Sequence, residues 1–290
     1  MQSTPESITT TIDQLWDYDQ PAESEMRFRQ LLATLDLTSR SYAELLTQIA
    51  RAQGLQRQFG EAHQTLDAAY ALLDSQPSRS TLRYLLERGR VFNSATHPEQ
   101  ARPLFLQAWE EALATAEDFY AIDAAHMLGI IEPPEEQLRW NEKALALAEK
   151  STDPRAQKWL GSLYNNIGWT YHDLQQEEAA LAIFEKALAW RLAQGQARAI
   201  QIARWSVARR MRALNRVEEA LVIQQAIQKE LDQSGATDGY VQEELGECLL
   251  LLNRADEAQA HFATAYKTLI QDPWLVENEA PRLERLRSLS

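Results

Sequence analysis

Small and aromatic residues recur along the chain at one fixed spacing. The clearest copy starts at Gly168. Aromatic and small residues alternate after it at offsets of 3, 12, 16 and 19, namely Tyr171, Ala180, Phe184 and Ala187. Two further copies start at Gly89 and Gly246, two weaker ones at Ala50 and Ala208, and two degenerate ones at Ile12 and Ala125. We call these seven starting residues anchors. Their regular recurrence predicts a repeat protein.

The spacing inside each copy predicts a pair of helices. Gly168 and Tyr171 lie about one helical turn apart, on the same face of a first helix. Ala180, Phe184 and Ala187 follow at i, i+4 and i+7, which is the apolar stripe of a second helix. Small residues let the two backbones approach closely, and the large ring fills the space beside them. We therefore expect antiparallel helix-turn-helix units that bury their apolar faces by stacking on one another.

About seven such units cover nearly the whole chain. Their predicted limits are 5–35, 39–74, 78–116, 118–150, 154–193, 197–233 and 237–271, with anchors 36 to 43 residues apart. A last helix over 278–290 has a charged face suited to capping the final unit. Four tryptophans are expected mostly in the core: Trp109, Trp140, Trp159 and Trp190. Residues 1–290 are thus expected to form a single all-α solenoid.

The unit from Tyr164 to Ala187 resembles the tetratricopeptide repeat (TPR), because it matches the pattern W-x2-L-G-x2-Y…A-x3-F almost residue for residue. The longer period is similar to the repeats of kinesin light chain and of bacterial peptide receptors. This resemblance implies a right-handed superhelix in which the first helix of each pair lines a concave groove. It also implies that the groove binds a protein or peptide, so that the chain works as an interaction scaffold.

The groove positions of the central units are cationic and aromatic. The candidate ligand-binding residues are Arg51, Arg83, Arg90, Asn93, His126, Asn165, Trp169, His172, Trp205, Arg209 and Arg212. Arginine and tryptophan often dominate binding energy, and an asparagine offers both a donor and an acceptor to a peptide backbone. We expect an acidic or aromatic extended segment to dock across units three to six. The alternative is that the arginines are solvated or paired with neighbouring carboxylates.

The charge of the chain narrows the choice of partner. The sequence has 29 Lys and Arg against 42 Asp and Glu, a formal net charge of −13, which repels phosphate backbones and anionic lipid. We expect neither nucleic-acid nor membrane partners. There is no secretory leader pattern and no long apolar run, and the single Cys248 excludes an internal disulfide. A cytoplasmic protein is expected.

No catalytic motif accompanies the repeats. The chain lacks a phosphate-binding glycine loop, H-E-x-x-H, G-x-S-x-G and C-x-x-C, so we expect no enzyme and no cofactor. Asp123, His126 and His172 are the nearest approach to a metal site, and the simpler interpretation is ordinary polar groove residues. A sensor for a small peptide or metabolite is the alternative function, with an enzyme a distant third. Homo-dimerisation through the degenerate first unit also stays open.

Overall fold

The computed structural model describes residues 12–74 and 76–290, and over these ranges all regular structure is helical. The helices are α1 (Pro21–Leu32), α2 (Arg40–Leu55), α3 (Phe59–Tyr70), α4 (Arg79–Ser94), α5 (Pro98–Ala114), α6 (Asp118–Ile131), α7 (Pro134–Lys150), α8 (Pro154–Gln157), α9 (Leu160–Asp173), α10 (Glu177–Gln194), α11 (Ala197–Ala213), α12 (Val217–Ser234), α13 (Gly239–Leu251), α14 (Ala255–Leu269), α15 (Pro273–Asn278) and α16 (Ala280–Leu289). Residues 12–15 are also helical. The all-α prediction is confirmed. None of the described helices has the length and apolar character needed to cross a membrane.

The second helix of each pair starts at a constant distance from its anchor. α3 starts nine residues after Ala50, and α10 starts nine residues after Gly168. The same interval holds for α1, α5, α7, α12 and α14. The degenerate copies that start at Ile12 and Ala125 therefore keep the spacing of the strong ones. Positions counted from the anchors can be compared from pair to pair.

The turn inside most pairs contains a residue in the left-handed backbone conformation. These residues follow their anchors by seven positions and have φ between 60° and 65°: Arg57, Thr96, Gln175, Asn215 and Asn253. In the pair of α6 and α7 the corresponding residue is Glu132, which is extended with a ψ of 159°. Glu132 precedes Pro133, and a residue before proline avoids helical conformations. The fourth turn therefore differs from the others because of its proline.

Three anchors are glycines because an aromatic ring lies against them. The contacts join residues 16 positions apart: Gly89 and Phe105, Gly168 and Phe184, Gly246 and Phe262. A Cβ atom on Gly168 would lie 2.6 Å from the ring of Phe184, closer than atoms can approach. Phe184 is buried, and burying such a ring contributes roughly 1.5–3 kcal/mol. The predicted packing of a small residue against a large ring is confirmed.

The chain forms two compact units, one ending at Leu163 and the other beginning at Tyr164. The first unit contains a cluster around Phe28 and Ile49 and a second, smaller cluster around Leu66. In the second unit one core cluster runs through α10 to α16. Leu283 and Leu286 of α16 are buried in that cluster, which fits the predicted capping helix. The single array over 1–290 stays a prediction.

Candidate functional site

The first helices of the pairs in the first unit enclose a pocket of about 370 Å³. Its lining combines five aromatic residues, three arginines and three carboxylates: Trp16, Tyr18, Phe119, Tyr120, Trp159, Arg51, Arg83, Arg90, Asp13, Glu87 and Asp123. α2, α4 and α6 supply most of these side chains, and Trp16 and Tyr18 precede α1. Three of the predicted site residues, Arg51, Arg83 and Arg90, are therefore brought together in this pocket.

The arginines of this pocket are paired with carboxylates. Glu87 accepts hydrogen bonds from Arg51 Nη1 at 3.0 Å and from Arg90 Nη1 at 2.7 Å. Arg90 also donates to Asp123. The four side chains alternate in charge across α2, α4 and α6, and we call them the ion ladder. Two guanidinium charges meet two carboxylate charges, so the ion ladder carries no net charge.

Arg83 is buried, unlike an ordinary groove residue. Its Nε lies 2.9 Å from Glu44 Oε1 and donates to the Tyr120 hydroxyl at 3.1 Å. Its Nη2 donates to Asp13 Oδ1 at 3.0 Å. Burial alone would lower the pKa of Arg83, but these three neighbours outweigh burial and raise it. The guanidinium is a charged, fully engaged part of the interior.

Two further predicted residues lie in the first unit. His126, on α6, places its ring 4.9 Å from the ring of Trp159. Burial is the main cause that lowers the pKa of His126, so the imidazole is neutral near pH 7. Asn93, on α4, is half-buried and does not line the pocket.

In the second unit Trp169, Trp205 and Arg209 come together, and we call them the tryptophan–arginine cluster. The guanidinium carbon of Arg209 lies 5.4 Å from the ring centroid of Trp169 and 5.3 Å from that of Trp205. Trp205 Nε1 donates to the backbone oxygen of Tyr240 at 3.1 Å, which fixes the indole. The cation therefore lies near two aromatic rings that attract it electrostatically.

Arg209 and Arg212 share one carboxylate. Arg212 binds both oxygens of Glu244, through Nε at 2.7 Å and Nη2 at 2.9 Å. Arg209 has a single longer contact, from Nε to Glu244 Oε1 at 3.4 Å. Within the described residues Nη1 and Nη2 of Arg209 have no hydrogen-bond partner. Two guanidinium charges face one carboxylate, so Arg209 retains the capacity to bind a further acceptor.

A small apolar pocket adjoins the tryptophan–arginine cluster. It has a volume of about 240 Å³, and Trp205, Ile202, Tyr240 and Val241 supply most of its apolar lining. Ile202 is 47% exposed, which is high for an isoleucine. Trp205 therefore belongs both to this apolar pocket and to the tryptophan–arginine cluster.

The other two predicted residues of the second unit are arranged differently. Asn165, on α9, is exposed. His172 Nδ1 lies 2.6 Å from Glu177 Oε1, and Glu177 also accepts from the buried Arg210 at 2.9 Å. In the part of the chain that the structure describes, no three His, Cys, Asp or Glu side chains group together in a way that could hold a metal ion.

The sequence interpretation missed several residues of the first pocket. Of the tryptophans expected in the core, Trp140 is buried at 8% exposure, but Trp159 lines the pocket. The acidic partners could have been found from spacing. Arginines one residue after an anchor pair with acidic residues two residues before the next anchor: Arg51 with Glu87, Arg90 with Asp123, and Arg209 with Glu244.

The stacked antiparallel helix pairs have the architecture found in tetratricopeptide repeat proteins. Residues 161–194 match the family model of the tetratricopeptide repeat. No curated protein matches the chain. The resemblance to TPR proteins is confirmed by this repeat and by the solved structures that follow.

Solved structures share the fold at low sequence identity. A signal transduction ATPase with numerous domains and a tetratricopeptide repeat sensor, from Pyrococcus horikoshii, superposes with a TM-score of 0.72 at 14% identity, covering 92% of this chain. The C-terminal part of a TPR repeat-containing protein from Cytophaga hutchinsonii gives 0.61 at 12% identity, with 94% of this chain and 98% of that chain covered. TPR-like repeats of a kinesin light chain-type protein from Podosopora anserina give 0.54 at 17% identity, with 69% and 99% covered. The chain spans only 41% of the Pyrococcus horikoshii protein.

Proposed function

We propose that the chain is a protein-interaction module that binds an extended segment of a partner protein on the first helices of its pairs. The observation that carries the proposal is the tryptophan–arginine cluster. Arg209 lies beside two neighbouring indole rings, and the carboxylate nearest to it is already bound at both oxygens by Arg212. A guanidinium in this situation binds an incoming carboxylate strongly, because two parallel hydrogen bonds can form and the rings restrict its motion.

The partner segment is expected to carry an acidic residue next to an apolar or aromatic one. Its carboxylate would pair with Arg209, and its apolar side chain would cover Ile202 and Trp205 in the neighbouring pocket. Large apolar and aromatic side chains in such pockets supply much of the binding energy at interfaces. In the first unit the ion ladder has a different role, since its arginines already have carboxylate partners and stabilise the packing of α2, α4 and α6.

The test uses an acidic peptide selected from a random library against the wild-type chain. We expect Arg209→Gln to weaken binding of this peptide by about tenfold or more, as truncation of a central arginine does at protein interfaces. The matched control is Arg204→Gln, which removes a charge from the same helix. Arg204 pairs with Glu230 and does not line the neighbouring apolar pocket. Equal losses in the two variants, or no loss in either, would reject the site.

The first unit supports a second candidate function, the sensing of a small ligand. Its pocket of about 370 Å³ has five aromatic walls, and small-molecule pockets span roughly 300–1,000 Å³. The neighbour from Pyrococcus horikoshii is itself described as having a repeat sensor. Native mass spectrometry of the purified chain tests this candidate. A small molecule retained by the wild type and lost in Trp159→Ala would favour it, whereas a ligand-free wild type would count against it.

Catalysis is not part of the proposal. Burial is the main cause that raises the pKa of the Cys248 thiol to about 12, so that the thiolate is not available near pH 7. The side chain is buried in the core of the second unit. Cys248 therefore acts as a small apolar residue.

A further inference from the structure

A cleft in the first unit has a chemistry opposite to that of the tryptophan–arginine cluster. It lies between α3 and α5, over the start of α4, and has a volume of about 610 Å³. The side chains that matter for the argument are Tyr70, Tyr84, Leu104, Gln107 and Glu111. We call it the tyrosine cleft. It shares no lining residue with the aromatic pocket of the same unit.

The lining of the tyrosine cleft offers two aromatic rings and two carboxylates, of which Asp74 is bound by Arg40 and Glu111 has no cationic partner within the described residues. Tyr70 is 63% exposed, and its ring centroid lies 5.2 Å from that of Tyr84. Glu111 Oε1 accepts a hydrogen bond from Gln107 at 2.8 Å, but Glu111 Oε2 is buried and has no partner within the described residues. No lysine or arginine is among the described residues of the lining. A desolvated carboxylate oxygen without a donor is unfavourable, so a donor from outside would stabilise it.

The next pair of helices shows how the same chain fills an equivalent cleft. Counted from the anchors, the corresponding residues are Tyr70 and Trp109, Leu104 and Trp140, Gln107 and Lys143, and Glu111 and Leu147. Trp109 and Trp140 pack edge to face with centroids 5.7 Å apart. Lys143 Nζ lies 3.9 Å from the ring centroid of Trp140. Here the chain supplies its own cation to the aromatic surface. In the tyrosine cleft Arg88 lies 5.5 Å from the ring centroid of Tyr84, but within the described residues no cation of the chain lies beside Tyr70 or Glu111.

We propose that the tyrosine cleft binds a lysine or arginine side chain presented by a partner protein. The ammonium or guanidinium pairs with the carboxylate of Glu111, and the alkyl stem lies along Leu104 and the tyrosine rings. Attraction between a cation and an aromatic face adds to the ion pair. This site is independent of the tryptophan–arginine cluster, because it lies in the other unit and selects the opposite charge.

The experiment is an NMR titration of the chain labelled in its tyrosine rings. The probes are the N-acetyl methylamides of lysine and arginine, with the norleucine derivative as the uncharged counterpart. We expect saturable shifts of the Tyr70 and Tyr84 signals with lysine or arginine and none with norleucine. Glu111→Gln should weaken binding about tenfold, the usual loss for a hydrogen bond to a charged group. Gln107→Lys, which imitates Lys143, should abolish binding because the chain then supplies its own cation.

Glu110→Gln is the matched control, since it removes the same charge from the adjacent, exposed residue of α5. Binding that is unchanged in Glu110→Gln, weakened in Glu111→Gln and lost in Gln107→Lys would support the site. Three results would overturn it: no saturable shift with either cationic probe, equal shifts with the norleucine derivative, or equal weakening in Glu110→Gln and Glu111→Gln. The last result would mean that the acidic surface as a whole attracts the probe.

Discussion

The first helices of the two units present arginines in different electrostatic settings. In the first unit Arg51 and Arg90 alternate with Glu87 and Asp123 in the ion ladder, and the charges cancel. In the second unit Arg209 and Arg212 share Glu244, so that one positive charge is not balanced locally. The aromatic surroundings are similar in the two units. What differs is the number of carboxylates that each group of arginines meets.

Residue type alone therefore does not identify a binding arginine in a repeat array. The side chain of an arginine one residue after an anchor contacts the side chain two residues before the next anchor. Glu87, Asp123 and Glu244 occupy that position. In the second unit Arg212 reaches the same carboxylate from one helical turn further along α11. Competition for a shared partner therefore decides which guanidinium can bind a ligand.

The largest expected effect concerns the stability of the first unit. Arg83→Met should lower the free energy of unfolding by about 3–5 kcal/mol, because it removes the guanidinium from the buried Glu44. Arg209→Met should lower it by about 1 kcal/mol or less, as for a partly exposed ion pair. Urea unfolding of both variants makes the comparison. Losses of equal size would show that the arginines of the two units do not differ in role.

The second prediction removes the carboxylate over which the two arginines compete. Glu244→Gln should lower the free energy of unfolding by roughly 1–3 kcal/mol, since buried guanidinium contacts are weakened. The selected acidic peptide should nevertheless bind about fivefold more tightly, because Arg209 and Arg212 then lack a competing carboxylate. Isothermal titration calorimetry measures the affinity. Glu247→Gln, on the same helix but paired with Arg285, is the control and should change the affinity much less, because Glu247 acts on Arg212 only through its charge, without a direct contact.

The third prediction concerns pH. Burial is the main cause that lowers the pKa of His126 in the first unit and of His261 in the second. The unfolded chain therefore binds more protons than the folded chain below the ordinary imidazole pKa of about 6.5. Stability should be full above about pH 6.5 and fall as the pH decreases, by roughly 1 kcal/mol or less per histidine per pH unit. His126→Gln should reduce this slope, as urea unfolding at a series of pH values would show.

The smallest expected effect tests what the two units share, namely their hairpin turns. Thr96 and Asn215 occupy the same position after their anchors with φ of 65° and 61°. Asparagine tolerates this conformation better than the β-branched threonine. Thr96→Asn should raise stability by about 0.5 kcal/mol, a fraction of the cost of the left-handed conformation for an ordinary residue. Asn215→Thr should lower stability by a similar amount. Thermal unfolding measures both changes, and a shift of the melting temperature in the opposite direction in either variant would contradict the prediction.

The repeat spacing made most of the fold predictable from the sequence. Close packing of Gly168 against Phe184 follows from the offset of 16 residues, and the helix starts follow from the anchors. The helix starts recur in every helix pair, so a weak copy such as the one at Ala125 is recognised from its neighbours. The positions of the arginines on the first helices were predictable for the same reason.

The state of each arginine was not predictable from residue type, because it depends on contacts between successive helices. Arg83 was expected in a groove, but it is enclosed by Glu44, Asp13 and Tyr120. Trp159 lies outside the recurring offsets, so the spacing contained no signal that it would line a pocket. The pairing of an arginine after one anchor with an acidic residue before the next would have predicted the ion ladder. The position of Trp159 in the pocket lining could be found only from the structure.

Arginine side-chain NMR, recorded while the selected acidic peptide is added to the wild-type chain, tests the central claim most directly. Each guanidinium Nε–Hε signal reports its own hydrogen bonding. We expect the Arg209 signal to shift and to saturate with the binding curve, while the signals of Arg83 and Arg90 stay in place. Shifts at Arg83 and Arg90 with none at Arg209 would contradict this expectation.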